Sequence, residues 1–500
     1  MHEAMISLRE LDKKIGHYAE AISLLNWDLR TKAPKRSVEN RAGTMGLLSA
    51  EMFQTSTSDE MGELLAKLSE PAVFDQLPLV DQKLVKNRKK EYELNTKIPP
   101  AMYKEFVELT TKAQSVWEEA RHQNDFTLFQ PYLEKIVEIN RKKADLYGYE
   151  DHPYDALVNT YETGMNVATL DTVFNEVKEG IIPLLEKVKA SKQPDTAFLK
   201  QDMDIDKQRQ FGEFIAKEMG YDFNSGRIDE TAHPFMTQIN NGDVRITTHY
   251  KENNVMFALG GTMHETGHAL YEQNIAEELG GTSLYSGTSL GIHESQSRFW
   301  ENQIGFSYEF WEKYYDAFKE TFPGKLDDVS LQDFYAAINQ AEPNFIRIES
   351  DELTYNLHII IRYELEKALI TKELEVKDLP QAWNDKYEQY LGIIPSSDSI
   401  GVLQDVHWSM GAIGYFPTYA LGNLYAAQMT ETMKKQMPQY SDLIRKGDLA
   451  PIKQWMTENV YRHGSMYEPN ELIQQITDEP LNASYFVNYV KEKFGSLYSL

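Results

Sequence analysis

The stretch Gly261–Gln273 reads Gly-Thr-Met-His-Glu-Thr-Gly-His-Ala-Leu-Tyr-Glu-Gln and holds two histidines four residues apart. On an α-helix, residues with this spacing lie one turn apart on the same face, so both imidazoles can reach one cation. In the pattern His264-Glu265-x-x-His268, the carboxylate lies beside the open position of a bound zinc ion and can take a proton from a water molecule there. The stretch therefore predicts a helix with two zinc ligands and a general base.

A short β-hairpin is predicted directly before this helix. Asn241-Gly242 separates Phe235–Ile239 from Val244–Tyr250, and this dipeptide is a strong signal for a two-residue turn. Apolar and polar residues alternate in the second segment, as in a half-buried strand. The free edge of such a sheet can pair with an extended peptide; a purely structural hairpin is the alternative.

Helical periodicity covers most of the remaining chain, and Pro or Gly separates the segments. The metal helix should begin near Val255, after cap candidates Asn253 and Asn254, and end before Gly280. Other helices are predicted near 3–29, 38–70, 79–95, 100–122, 126–148, 167–190, 205–220, 291–304, 308–322, 330–341, 343–371, 377–391, 420–436, 450–460 and 484–495. No linker composition or repeat divides the 500 residues, so the sequence predicts a mainly α fold and a single large helical unit. Within it, about 1–125 is expected to form a helical lid or scaffold region and about 126–500 a catalytic body.

Composition restricts the partners and the type of metal site. The net charge is −26, from 77 acidic and 51 basic residues, which argues against binding nucleic acid or an anionic membrane surface. There is no cysteine, so a metal must be held by His and carboxylate side chains. The charged N-terminus does not resemble a signal peptide, and we expect a cytoplasmic location.

A catalytic zinc site needs a third protein ligand. Glu294, on the helix predicted after a Ser- and Gly-rich loop, is the best candidate. His293 is a weaker rival, and Glu301 is another, although it is more typical of a solvated residue. If these neighbours have structural roles and do not bind the metal, His293 orients Glu294 or Glu265, and Arg298 forms an ion pair.

Together these motifs resemble the carboxypeptidase Taq family of metallocarboxypeptidases. The first part is His264-Glu-Thr-Gly-His268 followed by His293-Glu-Ser-Gln-Ser-Arg298. Further matching segments are His233-Pro-Phe235, Asp243-Val-Arg245-Ile-Thr247, Ile346-Arg347-Ile-Glu-Ser350-Asp351 and Gly401-Val-Leu-Gln-Asp405-Val-His407-Trp408. One departure is Ser350, where the family has Ala; it puts only local packing in doubt because Arg347 and Asp351 are present.

The resemblance implies a helical fold with a deep active-site groove and a small sheet beside the metal helix. It implies removal of C-terminal residues one at a time, with broad specificity, by a cytoplasmic homodimer that uses one Zn²⁺ per chain, or Co²⁺ in some members. His233 and Asp243, in two of the matching segments, are expected to bind substrate.

The chemistry of peptide hydrolysis suggests further site residues. A tetrahedral oxyanion needs hydrogen-bond donors besides the metal, and His407 and Tyr415 suit that role. Tyr419 is the alternative phenol, and core packing is the alternative role for each tyrosine.

An exopeptidase must also bind the free C-terminal carboxylate, for which an Arg fork is suited. Arg347 is the first choice and Arg245 the second. Each has a structural alternative as an ion-pair member, Arg347 with Asp351 and Arg245 with Asp243.

Two other functions fit parts of the sequence. A zinc oligopeptidase that cuts inside short peptides would use the same metal residues. A helical binding or scaffold protein would carry an incidental zinc motif and would not need a metal.

Overall fold

The computed structural model describes residues 3–500 and is built mainly from α-helices. The first seven are α1 (Glu3–Thr31), α2 (Val38–Ser56), α3 (Asp59–Leu68), α4 (Pro71–Phe74), α5 (Leu79–Lys97), α6 (Pro100–Gln123) and α7 (Phe126–Tyr147). Next come α8 (Pro153–Val158), α9 (Val167–Ala190), α10 (Ile205–Glu218), α11 (Val255–Gln273), α12 (Leu290–Arg298), α13 (Tyr308–Thr321) and α14 (Leu331–Ile338). The last are α15 (Glu352–Thr371), α16 (Leu379–Leu391), α17 (Pro417–Gln436), α18 (Tyr440–Lys446), α19 (Ala450–Asn459), α20 (Pro469–Thr477) and α21 (Ser484–Tyr498). The predicted mainly α fold is confirmed.

Most predicted helices are present, but some boundaries were wrong. The segment 38–70 divides at Thr57, and Ser58 caps α3 by accepting a hydrogen bond from the Met61 N–H. The segment 343–371 is helical only from Glu352, because Asp351 caps α15 and the preceding residues form a loop with a short 3₁₀ turn. Helices α4, α8, α18 and α20 were not predicted. In residues 3–500, no helix is both long and apolar enough to span a bilayer.

A three-stranded sheet lies beside α11. Its strands are β1 (Ile228–Glu230), β2 (Met236–Asn240) and β3 (Asp243–Thr248), in the order β1-β3-β2. The predicted hairpin is confirmed, since β2 and β3 pair antiparallel around Asn241-Gly242. Strand β1, which pairs parallel with β3, was not predicted. The outer edge of β2 pairs with no strand in the described chain.

Glycines allow α11, α12 and α17 to approach closely. A Cβ atom on Gly267 of α11 would lie 2.6 Å from the backbone carbonyl oxygen of Gln296 in α12. A Cβ on Gly422 of α17 would lie 2.4 Å from Cγ of Glu294. Because neither position has room for a larger residue, the three helices are held in one packing arrangement around the predicted metal ligands.

The helix that carries Glu294 changes its winding after Arg298. Residues Phe299–Gly305 form a π-helix, with a wider turn than the α-helix. Such turns are frequent at functional sites, and this one contains Glu301.

Candidate metal centre and active site

His264, His268 and Glu294 bring three donor atoms together. Glu294 Oε2 lies 3.7 Å from Nε2 of His264 and 3.6 Å from Nε2 of His268. Tetrahedral zinc, with bonds of about 2.0–2.2 Å, separates neighbouring ligand atoms by about 3.3–3.6 Å. All three donor atoms lie within 4.8 Å of one another. The residues therefore fit a divalent cation with an open fourth position.

Glu294 is positioned by both ends of its helix. At the N-terminus, Ser289 caps α12 by accepting a hydrogen bond from the Ile292 N–H at 3.0 Å. At the C-terminus, Arg298 Nε donates to Glu294 Oε1 at 2.8 Å, which leaves Oε2 directed at the histidines. Burial opposes ionisation of Glu294, but Arg298 and His264 outweigh it and lower the pKa of this carboxyl. The predicted ion pair of Arg298 is thus present.

The outer nitrogens of the two histidines have different partners. His264 Nδ1 lies 2.8 Å from Glu301 Oε2, so Glu301 is not the solvated residue that the sequence suggested. His268 Nδ1 lies 2.7 Å from His293 Nδ1. The predicted alternative role of His293 was therefore wrong: it contacts His268 and not Glu294 or Glu265.

Glu265 lies in the wall of a groove beside these residues. Its side chain is largely buried, and burial raises its pKa to about 7. A carboxyl group with a pKa near 7 is suited to proton transfer at neutral pH.

The groove has a volume of about 680 Å³ and joins the sheet to α11, α12, α15 and α17. His233 is exposed at the sheet side of the groove, next to Pro234 and Phe235. Further apolar lining residues are Met236, Met256, Phe257, Leu290, Phe306 and Ile348. The predicted groove is therefore present, and much of its wall is apolar.

Two of the three predicted oxyanion donors face the groove. Tyr415 and Tyr419 line it, whereas His407 lies behind them, with Nε2 at 3.1 Å from the Tyr419 hydroxyl. Burial lowers the pKa of His407 to about 4 although Asp405 is close, so the imidazole is neutral at pH 7. The sequence did not identify Tyr355, which also lines the groove and accepts a hydrogen bond from Arg347 Nη1 at 3.1 Å.

Arg347 lines the groove and is held by Asp405. Its Nε and Nη2 donate to Asp405 Oδ1 at 3.0 and 2.8 Å. Arg362 binds the other oxygen of Asp405, with Nε at 2.7 Å from Oδ2. The alternative pair with Asp351 was wrong, because that carboxylate caps α15. Two guanidinium groups share one carboxylate, so this cluster of three side chains, of which Arg347 reaches the groove, has a net charge of +1.

Arg245 and Asp243 do not line the groove. Arg245 Nε donates to Asp243 Oδ1 at 2.7 Å, and its guanidinium lies 5.6 Å from the ring centre of Trp27 in α1. They form the structural ion pair that the sequence left open as an alternative to substrate binding.

A helical protein that places His264, His268, Glu294 and Glu265 in one peptide-sized groove is a metallopeptidase. Residues 7–494 match the carboxypeptidase Taq (M32) metallopeptidases, and the chain belongs to this family. The predicted family and enzyme class are confirmed, and the protein is a metallocarboxypeptidase.

Similar proteins match over nearly their whole length. Carboxypeptidase 1 of Bacillus subtilis is 50% identical over 492 residues, which cover 98% of each chain. Thermostable carboxypeptidase 1 of Thermus thermophilus is 41% identical, again over 98% of each chain. The crystal structure of an M32 carboxypeptidase from Deinococcus radiodurans has a TM-score of 0.97 at 37% identity and covers 100% of both chains.

Proposed function

We propose that the protein removes single C-terminal residues from peptides with broad specificity, and that Glu265 is the general base. The observation that carries the proposal is one groove with a candidate metal site, a buried carboxyl group and a cationic group in its wall. Glu265 supplies the base, and Arg347 recognises a free C-terminus.

His264, His268 and Glu294 would hold a single Zn²⁺, with Co²⁺ as an alternative. Two imidazole nitrogens and one carboxylate oxygen form a donor set typical of catalytic zinc. Such a cation supplies Lewis acidity, which polarises the scissile carbonyl and acidifies water.

Glu265 takes a proton from the attacking water and passes it to the leaving amine. Burial favours both steps, because it brings the pKa of the carboxyl close to neutral. Tyr415 and Tyr419, which line the groove, donate hydrogen bonds to the developing oxyanion. His407 acts through Tyr419: with its proton on Nε2 it donates to the Tyr419 oxygen, which leaves the phenol proton for the oxyanion, so His407 is a positioning residue in this scheme.

Arg347 binds the C-terminal carboxylate of the substrate. Asp405 neutralises only one of the two guanidinium groups that it contacts, so a second carboxylate is favourable here. The apolar residues that form part of the lining accommodate many side chains and support broad specificity. The outer edge of strand β2 pairs with no other strand in residues 3–500, and His233 lines the groove, so we assign both to binding of the peptide backbone.

The test compares an N-blocked tripeptide that has a free C-terminus with the matching C-terminal amide. We expect cleavage of the free acid, release of the last residue and little cleavage of the amide, in zinc-loaded protein only. Equal cleavage of both would show an oligopeptidase. Activity that is unchanged after complete metal removal would refute the metal assignment.

We also propose that the enzyme is a cytoplasmic homodimer, on the basis of the family resemblance. Analytical ultracentrifugation tests the dimer, which requires a species of about 115 kDa from a chain of 57.7 kDa. The division into a lid region of about 1–125 and a catalytic body remains a prediction. Limited proteolysis with and without a bound product analogue tests it, through ligand-dependent cleavage near residue 125.

A further inference from the structure

The two predicted histidine ligands are supported in different ways. Nε2 of each faces Glu294, so a metal would bind this nitrogen, and Nδ1 must then carry the proton. His264 donates that proton directly to the Glu301 carboxylate. His268 has a second imidazole, His293, in the equivalent place.

His293 connects His268 to a second carboxylate. Its Nδ1 must accept the proton of His268, so its own proton is on Nε2, which lies 2.8 Å from Glu272 Oε1. Because a carboxylate only accepts hydrogen bonds, Glu272 fixes the direction of both bonds. The order of donation is therefore His268 to His293 to Glu272.

Glu272 is a buried carboxylate, and within residues 3–500 no Lys or Arg side chain forms an ion pair with it. It belongs to α11, four residues after His268, and is about 2% exposed. Besides His293 it accepts only the Gly287 N–H, at 3.0 Å, and its Oε2 has no hydrogen-bond partner in residues 3–500. Burial of a carboxylate without an ion-pair partner is costly. The contact with His293 is the interaction that connects Glu272 to the proposed metal site.

The surrounding residues leave a fitted space for the His293 ring. A Cβ on Gly287 would lie 2.6 Å from His293 Cδ2, so a larger residue there would displace the imidazole. The Tyr271 ring lies 5.1 Å from the His293 ring on another side. Tyr271 is itself fixed, because its hydroxyl accepts the Thr288 N–H at 3.2 Å.

We propose that Glu272 and His293 are positioning residues that form a relay to His268, fixing its tautomer and ring orientation and passing negative charge toward the metal. The proposal rests on the proposed metal-binding role of His264, His268 and Glu294. Residues that contact metal ligands in this way change metal affinity by about 10–100-fold when they are replaced. We expect the lower part of that range for Glu272, because an imidazole separates it from the ligand.

The test measures zinc affinity by competition with a chelator, using tag-free protein. Glu272→Gln keeps an acceptor for His293 but removes the charge, and should weaken zinc binding about 10-fold. His293→Asn keeps an acceptor for His268 but breaks the connection to Glu272, so it should weaken binding to a similar extent. His293→Leu removes the acceptor too and should have a larger effect.

A double-mutant cycle separates a relay from two independent effects. In a relay, Glu272→Gln does not weaken zinc binding further once His293→Asn is present. If the two residues acted independently, the fold-losses of the two single variants would multiply in the double variant. Glu278→Gln, at an exposed position just beyond α11, is the charge-matched control and should bind zinc as the wild type does. Thermal unfolding of each metal-free variant shows whether it is folded. If His293→Leu does not fold, the isosteric Glu272→Gln still tests the relay.

A second readout uses Co²⁺-loaded protein, in which paramagnetism shifts the exchangeable N–H proton of each ligand imidazole. The wild type should show one such proton for His264 and one for His268, and His293→Leu should lose the second through exchange with solvent. If both Glu272→Gln and His293→Asn bound zinc with wild-type affinity, the relay would be refuted, but the proposed metal site would not. Failure of the wild type to bind one zinc per chain would overturn the proposed function and the relay together.

Discussion

Replacement of Gly422 by alanine should displace the Glu294 carboxylate of the proposed metal site although no metal ligand is itself substituted. The new Cβ would lie 2.4 Å from Cγ and 2.7 Å from Cβ of Glu294, whereas ordinary contacts begin near 3.4 Å. Relief of this overlap requires α12 and α17 to separate, or Glu294 to move, by about 1 Å.

This displacement is large compared with what a metal site tolerates. Ligand distances in such sites hold to within about 0.2 Å, so a shift of about 1 Å should weaken zinc binding by at least about 10-fold, or about 1.4 kcal/mol. The overpacking itself costs about 1–3 kcal/mol of stability. The higher helix propensity of alanine offsets at most about 1 kcal/mol of that cost.

Two measurements check the prediction: zinc affinity by chelator competition, and the unfolding temperature in excess chelator. Gly495→Ala on α21 is the matched control, because a Cβ there meets no atom within 4 Å. We expect the control to bind zinc normally and to unfold at the same or a slightly higher temperature. Wild-type zinc affinity in Gly422→Ala would refute the reasoning, since it would show that helix packing does not fix the position of Glu294.

Three further predictions concern the chemistry. Glu265→Gln should keep one metal per chain, by elemental analysis, while kcat falls by about 10²–10⁴-fold; an active variant would exclude Glu265 as the base. Arg347→Met should lower kcat/KM for peptides with a free C-terminus by about 10–100-fold, since charged hydrogen bonds contribute about 1.5–3 kcal/mol. The variant should leave the low rate of cleavage of the matching C-terminal amide unchanged. Removal of zinc should lower the unfolding temperature, because zinc at 100 times its Kd adds about 2.7 kcal/mol of stability. In His264→Ala, the unfolding temperature should no longer depend on zinc.

The parts of the site that depend on local spacing could be predicted from the sequence. His264 and His268 fall on one helix face by periodicity alone, and Asn241-Gly242 specifies its hairpin through the backbone conformations that the turn requires. The start of α11 at Val255 also follows from a local signal, because the Asn254 side chain accepts a hydrogen bond from the Phe257 N–H.

Contacts between distant segments could not be predicted in the same way. Asp405 lies 58 residues after Arg347, and nothing in the sequence indicates that it replaces the nearer Asp351 as the partner. Some missed features did have signals. Glu301 follows Glu294 by seven residues, or two helical turns, which places it on the same face, and Asp351 before Glu352 is an ordinary helix cap. The unpredicted α20 has Pro469 at its start and a capping box that includes Glu471.

Glu272 also has a consequence for the balance between stability and function. It is the last residue but one of α11, where the helix carries partial negative charge and a carboxylate is disfavoured by about 0.3–1 kcal/mol. A protein selected for stability alone would have a neutral residue there. We therefore expect metal-free Glu272→Gln to unfold at a higher temperature than the metal-free wild type, even though it binds zinc less tightly. The same carboxylate would then lower the stability of the metal-free protein and raise that of the zinc-bound protein. Part of the metal affinity would come from a residue that is unfavourable at its position in the helix.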